Sequence, residues 1–282
     1  MKKIIEKARV LTEAMPYIRK FKGRTFVVKY GGSAMKIKKY KELFIDDIAT
    51  LGHVGIKIII VHGGGDDISA LAEKLGKQAV FVDGHRVTDL ETLEIVEKVL
   101  IGKVNKKIVS DLKAHGLKVI GVSGKDIRLI MASRKKHNNK DIGFVGEVKS
   151  INKMLLKTFQ NSALVPVIAP IGVDNKGNRY NINADAVAGK TAEAVNADKL
   201  IYITDTDGIM INKAYKKSLN AKEIKKYVKD GQIKGGMLPK VYSAMSAVDK
   251  GVNKVHIING TAEHSLLLEI FTNEGIGTEI IK

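Results

Sequence analysis

Apolar residues fall along this chain in two rhythms. Short runs of β-branched residues end in glycine or a small polar loop at 26–32, 58–65, 119–124, 165–172, 200–205 and 255–260. Between them lie stretches such as 88–115 and 185–196, in which apolar residues recur every three or four positions, the spacing of one helix face. The short runs are continuously apolar rather than alternating. That requires burial on both faces and predicts parallel strands covered by helices. The predicted fold is α/β, a three-layer sandwich around a largely parallel open sheet, built as one large domain or as two lobes. Ligands of such sheets sit beyond the carboxyl ends of the strands, where these glycine loops lie.

Three segments depart from the repeat. Residues 127–151 read as short strands around a polar turn at 133–141, a β-hairpin able to border a site. The stretch 211–240 is Lys-rich, with a helix predicted over 221–229 whose simplest role is a solvated face. Near the N-terminus Ile4, Ala8, Leu11, Met15 and Ile18 recur at spacings of four and three, the seam of a helix that packs on another helix. Pro16 should kink or break that helix.

Composition narrows the classes. The 282 residues contain no Cys, which removes disulfides, thiolate catalysis and Cys-ligated metals and fits a cytoplasmic location. Lys and Arg number 48 against 30 Asp and Glu, a net +18, yet 44% hydrophobic content indicates a globular chain with a basic surface. Such charge attracts nucleic acid, anionic membranes, and phosphorylated or carboxylate substrates alike. Aromatics are only 5%, Trp is absent and no nucleic-acid motif is recognisable, so a nucleic-acid-binding module is a remote alternative. No apolar run approaches the ~18 residues of a spanning helix. The first residues also lack the apolar core of a secretory signal and carry Glu6 and Glu13.

Familiar phosphate-binding motifs fail on inspection. Gly189-Lys190-Thr191 resembles the end of a P-loop, but Ala184 stands where its first glycine belongs. The run Gly63-Gly64-Gly65 is followed by Ile68 where a dinucleotide fingerprint needs its last glycine. His85-Arg86-Val87 lacks the aspartate of a protein kinase catalytic loop. What remains are loops suited to anions. Lys29-Tyr30-Gly31-Gly32-Ser33 places a cation and two residues without side chains after one strand, and His62-Gly63-Gly64-Gly65 opens a helix after the next.

An ordered set of motifs then spans nearly the whole chain: VVKYGGSAM at 27–35, VHGGG at 61–65, DGHRVTD at 83–89, GVSGKD at 121–126, NINADAVA at 181–188, YITDTDGI at 202–209, GGMLPKV at 235–241, and HIING with the tail EIFTNEGIGTEI. This set resembles the amino acid kinase family, and within it the acetylglutamate kinases. The resemblance implies phosphoryl transfer from MgATP to the side-chain carboxylate of N-acetyl-L-glutamate. A carboxylate is already nucleophilic at neutral pH, so positioning and charge compensation carry the catalysis. By the resemblance, Lys29 and Lys240 flank the transferring phosphoryl group, and Asp185 holds both ammonium groups, although Asp185 could instead cap a helix. Arg86 and Asn181 would take the α-carboxylate, unless Arg86 serves a structural salt bridge. The Gly64 and Gly65 amides would take the reacting or acetamido end. Gly31, Gly32, Thr204, Asp205, Gly235 and Gly236 would border ATP, with Mg2+ held by phosphates and water and no protein metal site.

Residues 1–22 are expected to form an oligomerisation helix, 23–195 the amino-acid lobe and 196–282 the nucleotide lobe. Arginine-inhibited members of the family are similar in their N-terminal helix and C-terminal EGIGT segment. That similarity implies a homo-hexamer, a trimer of dimers, interlaced by residues 3–19. It also implies L-arginine as a feedback inhibitor bound near that helix, His264, Glu274 and Gly277. The nearest competing reading is a kinase for aminoadipate or glutamate held on an acidic carrier protein. A basic surface suits that reading, whereas NINAD and the N-terminal helix point to the free acetylated amino acid.

Overall fold

The computed structural model describes residues 1–82, 84–136, 141–272 and 274–282, without the side chains of residues 2–4, 6–8 and 33. Its centre is an eight-stranded sheet. In chain order the strands are β1 (Thr25–Tyr30), β2 (Lys57–His62), β3 (Val119–Ser123), β4 (Val165–Ala169), β5 (Lys199–Thr204), β6 (Ser218–Asn220), β7 (Lys254–Asn259) and β8 (Thr278–Ile281). Across the sheet they run β6-β8-β7-β5-β1-β2-β4-β3, every pair parallel except antiparallel β7 and β8. The chain moves from β1 to β2 on one side and returns through β5 on the other. The strand order therefore reverses around β1, and the carboxyl ends of β1, β2 and β5 meet there.

Side chains of one strand alternate between faces, and both faces are covered. From β1, Phe26, Val28 and Tyr30 enter one core with Ile48 of α2 (Lys38–His53), Ile68 of α3 (Gly65–Lys74), Val96 of α4 (Leu90–Glu97), Leu112 of α5 (Lys106–Ala114) and Leu266 of α10 (Ser265–Phe271). Val27 enters the opposite core with Leu156 of α6 (Lys153–Asn161), Val187 of α7 (Ala184–Val195), Ile224 of α8 (Ala221–Lys229) and Val241 of α9 (Met237–Asp249). Helices on both faces make the three layers. Lys29 shares the parity of Val27, so the strand aims it at α7 and α9.

Local chemistry corrects several expectations. The helix α1 (Lys2–Phe21) runs through Pro16 rather than ending there, so the missing N–H costs one bond of a twenty-residue ladder. The helical stretch predicted over 88–115 is three pieces. Between α4 and α5 the segment Lys98–Asn105 is π-helical, a wider turn that the apolar spacing does not distinguish. The strand predicted over 165–172 divides at Pro170, which cannot donate to the ladder, and the chain passes into a second sheet at Ile171–Val173. That sheet contains the predicted hairpin. Ile130–Arg134 pairs antiparallel with Gly146–Ile151, and Ile171–Val173 and Arg179–Asn181 extend it to four strands. Residues 137–140 of the predicted turn lie outside the described residues. The predicted helix over 221–229 is α8, opened by a reciprocal cap between Asn220 and Glu223. Among the described residues no helix is long and apolar enough to cross a membrane.

Candidate active site

The site forms where β1 meets α7 and α9. Asn183 caps α7, its side chain accepting hydrogen bonds from the Asp185 and Ala186 amides. Asp185 is therefore not the cap, and its carboxylate is free to face the sheet. It lies 3.1 Å from Lys29 Nζ, and its Oδ2 accepts from Lys240 Nζ at 3.1 Å. Its Oδ1 meets Lys29 as an ion pair without hydrogen-bond alignment. Burial pushes the Asp185 carboxyl towards neutrality, and the Lys29 and Lys240 charges more than reverse this, holding it below the usual carboxylate range. Asp185 is 5% exposed and Lys29 is 8% exposed, so removing Asp185 would leave the Lys29 charge unpaired away from bulk water, whereas removing Lys29 would leave Asp185 its pair with Lys240.

Packing holds this arrangement from behind. Tyr202 of β5 donates to Ser243 Oγ at 2.8 Å, and Ser243 Oγ donates to the Asp185 carbonyl at 2.9 Å. Lys240 and Ser243 lie one turn apart on α9, so that helix grips Asp185 by both its carboxylate and its carbonyl. Gly31 leaves room for the Lys29 ammonium, because a Cβ there would stand 2.4 Å from Nζ and would push it from its place beside Asp185.

A cavity of about 210 Å³ opens beside Lys29 and Asp185, and Lys240 lies outside its lining. Its lining includes Lys29, Gly64, Gly65, Arg86, Asn181 and Asp185. Arg86 is buried and stacks on Phe81, 4.7 Å from the ring centroid. Its Nη2 donates to the Gly65 carbonyl at 2.9 Å and to Ser69 Oγ at 2.8 Å. Among the described residues these contacts use two of the five guanidinium N–H groups. Neither partner is a carboxylate, so its described contacts are not those of a structural salt bridge. Asn181 Nδ2 donates to Thr88 Oγ1 at 3.2 Å, and the second sheet carries it to the cavity wall. Gly64 and Gly65 open α3, and among the described residues neither amide has a protein acceptor.

Residues expected to border ATP lie outside this cavity. Gly32, with φ +70°, packs against Thr204 and Asp205 at the end of β5. Gly235 and Gly236 precede α9, with open space where side chains would project, and the Gly236 carbonyl is 3.4 Å from Lys240 Nζ. No cluster of metal-ligating side chains occurs among the described residues. The remaining three candidates are not brought into one described contact. His264 Nδ1 is 2.7 Å from buried Asp47, Gly277 packs on the Ile257 carbonyl, and Glu274 is exposed.

Sequence reasoning missed Asn183, Tyr202, Ser243 and Phe81. An Asn two places before Asp185 was a readable cap signal, whereas the Tyr202–Ser243 bond joins residues 41 positions apart and has none. It also missed a buried chain beneath α1, in which Lys199 Nζ meets His256 Nε2 at 3.0 Å and His256 meets Glu269. Burial pushes the Lys199 ammonium down to about 8.

Comparison with known proteins identifies the family. Acetylglutamate kinase of Methanocaldococcus jannaschii is 50% identical, aligned over 100% of this chain and 98% of its own. Acetylglutamate kinase of Symbiobacterium thermophilum is 48% identical over 99% of this chain and 98% of its own. Among solved structures, N-acetylglutamate synthase from Neisseria gonorrhoeae, complexed with coenzyme A and N-acetyl-glutamate, superposes with a TM-score of 0.86 at 25% identity. That match covers 98% of this chain and 63% of the synthase chain. The model of the amino acid kinase family matches residues 24–259, and the chain belongs to that family.

Proposed function

We propose that this chain transfers the γ-phosphoryl group of MgATP to the side-chain carboxylate of N-acetyl-L-glutamate, giving N-acetylglutamyl 5-phosphate for arginine biosynthesis. The observation that carries this reading is that Lys29 and Asp185 line a cavity that also holds Arg86, while Asp185 binds Lys240 from behind that wall. Relatives named acetylglutamate kinase that align over 98% of their own length support it.

The residues suit the chemistry. The acceptor carboxylate needs no general base, so the barrier lies in bringing two anions together and stabilising charge as the phosphoryl group moves. Lys29 and Lys240 supply two positive charges from different elements, and Asp185 between them offsets their mutual repulsion. The guanidinium of Arg86 takes the α-carboxylate, with Asn181 beside it. The Gly64 and Gly65 amides, at the positive end of α3, take the reacting end. ATP lies across Gly31, Gly32, Thr204, Asp205, Gly235 and Gly236, and Mg2+ enters with its phosphates. In this reading residues 23–195 carry the amino acid and 196–282 the nucleotide.

Two further readings concern assembly and control. Helix α1 joins subunits into a hexamer, supported by its exposed Leu11 and Met15. L-Arginine binds beside α1 and the C-terminal segment, supported by a crevice between Tyr17, Lys20 and Phe271. The central test is direct. Enzyme, MgATP and N-acetylglutamate in hydroxylamine should form the hydroxamate of the acyl phosphate, and absence of product with that acceptor overturns the reading.

A further inference from the structure

The π segment Lys98–Asn105 has a structural consequence beside the cavity. A π turn advances side chains less per residue than an α turn, so it alters which residue of the following helix faces the sheet. Here the segment ends on Asn105, which is buried and points into the strand layer. Asn105 Nδ2 donates to the Val167 carbonyl of β4 at 2.8 Å and stands 3.1 Å from His62 Nε2 at the end of β2. Its Oδ1 occupies the space over Gly121, where a Cβ would lie 2.1 Å away. The Val167 contact requires the amide nitrogen on that side, so the same nitrogen faces His62.

An amide nitrogen only donates, so His62 Nε2 must accept. The proton of the neutral ring is then on Nδ1, which lies 2.9 Å from the Gly63 carbonyl. That carbonyl belongs to the Gly63–Gly64 peptide, and across a trans peptide the next N–H points the opposite way. Gly64 lines the cavity and has no described acceptor for its amide.

We propose that Asn105 and His62 are positioning residues for the acceptor end of the site. Asn105, presented by the π segment, fixes His62 as the Nδ1–H tautomer, and His62 holds the Gly63–Gly64 peptide with its N–H directed at the reacting group. The His62 ring is fully buried, and burial pushes it down to about 4, so it stays neutral while it does this. The π segment closes the same region from above, because Leu100 packs where a Gly64 side chain would stand. A bare turn could adopt more than one orientation of the Gly63–Gly64 peptide, and the ring removes that freedom.

This inference rests on the phosphoryl-transfer reading, and two measurements separate their failures. The first needs no variant and no turnover. Nitrogen-15 correlation spectra of histidine-labelled wild-type protein should show His62 protonated on Nδ1 and bare on Nε2, assigned by the signal lost in His62→Gln. The opposite tautomer overturns the proposal, whatever the reaction. The second compares wild type with Asn105→Ala in the hydroxamate assay, with folding checked by circular dichroism. We expect kcat to fall roughly 10- to 100-fold, with KM for ATP unchanged within two-fold and mixed tautomers at His62. A kcat within two-fold of wild type overturns the positioning role. Failure of the wild type to phosphorylate N-acetylglutamate instead overturns the functional reading and leaves the tautomer result standing.

Discussion

Asp185 decides what each lysine can do. Without it Lys29 and Lys240 would repel each other in a nearly buried space, and with it they wait at hydrogen-bonding distance for a more highly charged anion. Lys29→Ala and Lys240→Ala should each lower kcat by roughly 10² or more, since each removes a preorganised charge while the sheet and α9 remain. Steady-state rates with saturating substrates test this, and near-native turnover in either variant would refute the assignment. His62 permits a prediction of another kind. An ordinary imidazole titrates near 6.5, whereas the buried ring is pushed down to about 4. Between those values the unfolded chain takes up a proton that the folded chain refuses. The stability contributed is complete above pH ~6.5 and drains away as the pH falls towards ~4, amounting to about 3 kcal/mol. Urea unfolding at pH 7 and pH 4.5 should therefore show a larger loss in wild type than in His62→Gln, and parallel losses would contradict the buried neutral ring. Lys29, Gly64, Gly65, Arg86, Asn181 and Asp185 could be picked out because each lies inside a contiguous motif, whereas Phe81 on the same cavity wall lies in none. The Asn105–His62 contact was not, because it joins residues 43 positions apart through a turn whose width leaves no mark on apolar spacing.

Elements bring these residues together, and their ends matter most. Asn183 stops the chain from extending past β-type backbone and starts α7, so it sets where Asp185 falls relative to the sheet. Asn183→Ala removes the acceptor of two amides and should cost about 1 kcal/mol of stability. It should lower kcat as well, because the first turn of α7 carries the carboxylate that Lys29 and Lys240 share. Calorimetry with parallel rate measurements separates the two effects; unchanged kcat would mean that Ser243 and Tyr202 hold Asp185 without the cap. At this scale most helices and strands could be read from periodicity, since burial on one or two faces imposes it. The exceptions share a cause. The unbroken helix at Pro16, the strand divided at Pro170 and the π segment are all matters of backbone hydrogen bonding, whereas periodicity reports side chains.

For the whole molecule, the +18 charge was a poor guide to chemistry, because only Lys29, Arg86 and Lys240 among the basic residues have a task in the proposed site. Uncovered apolar surface is more informative. Helix α1 packs its last turn onto its own subunit, with Phe21 against Phe26 at 5.3 Å between ring centroids. Further towards the N-terminus, Leu11 is 68% exposed and Met15 is 42% exposed, and both belong to the seam that the sequence spacing picks out. Ile4 and Ala8 of that seam lie where side chains are not described. A second helix laid along Leu11 and Met15 would remove apolar area from water without rearranging the sheet, which is how α1 would tie subunits into a hexamer. Deleting residues 1–22 should then lower the mass measured by light scattering from six chains to two at fixed protein concentration. The dimer should keep kcat within about two-fold, since no described residue of α1 lines the cavity. An unchanged mass would leave α1 as a cover for its own subunit, and a dimer without activity would place part of the site across the lost interface.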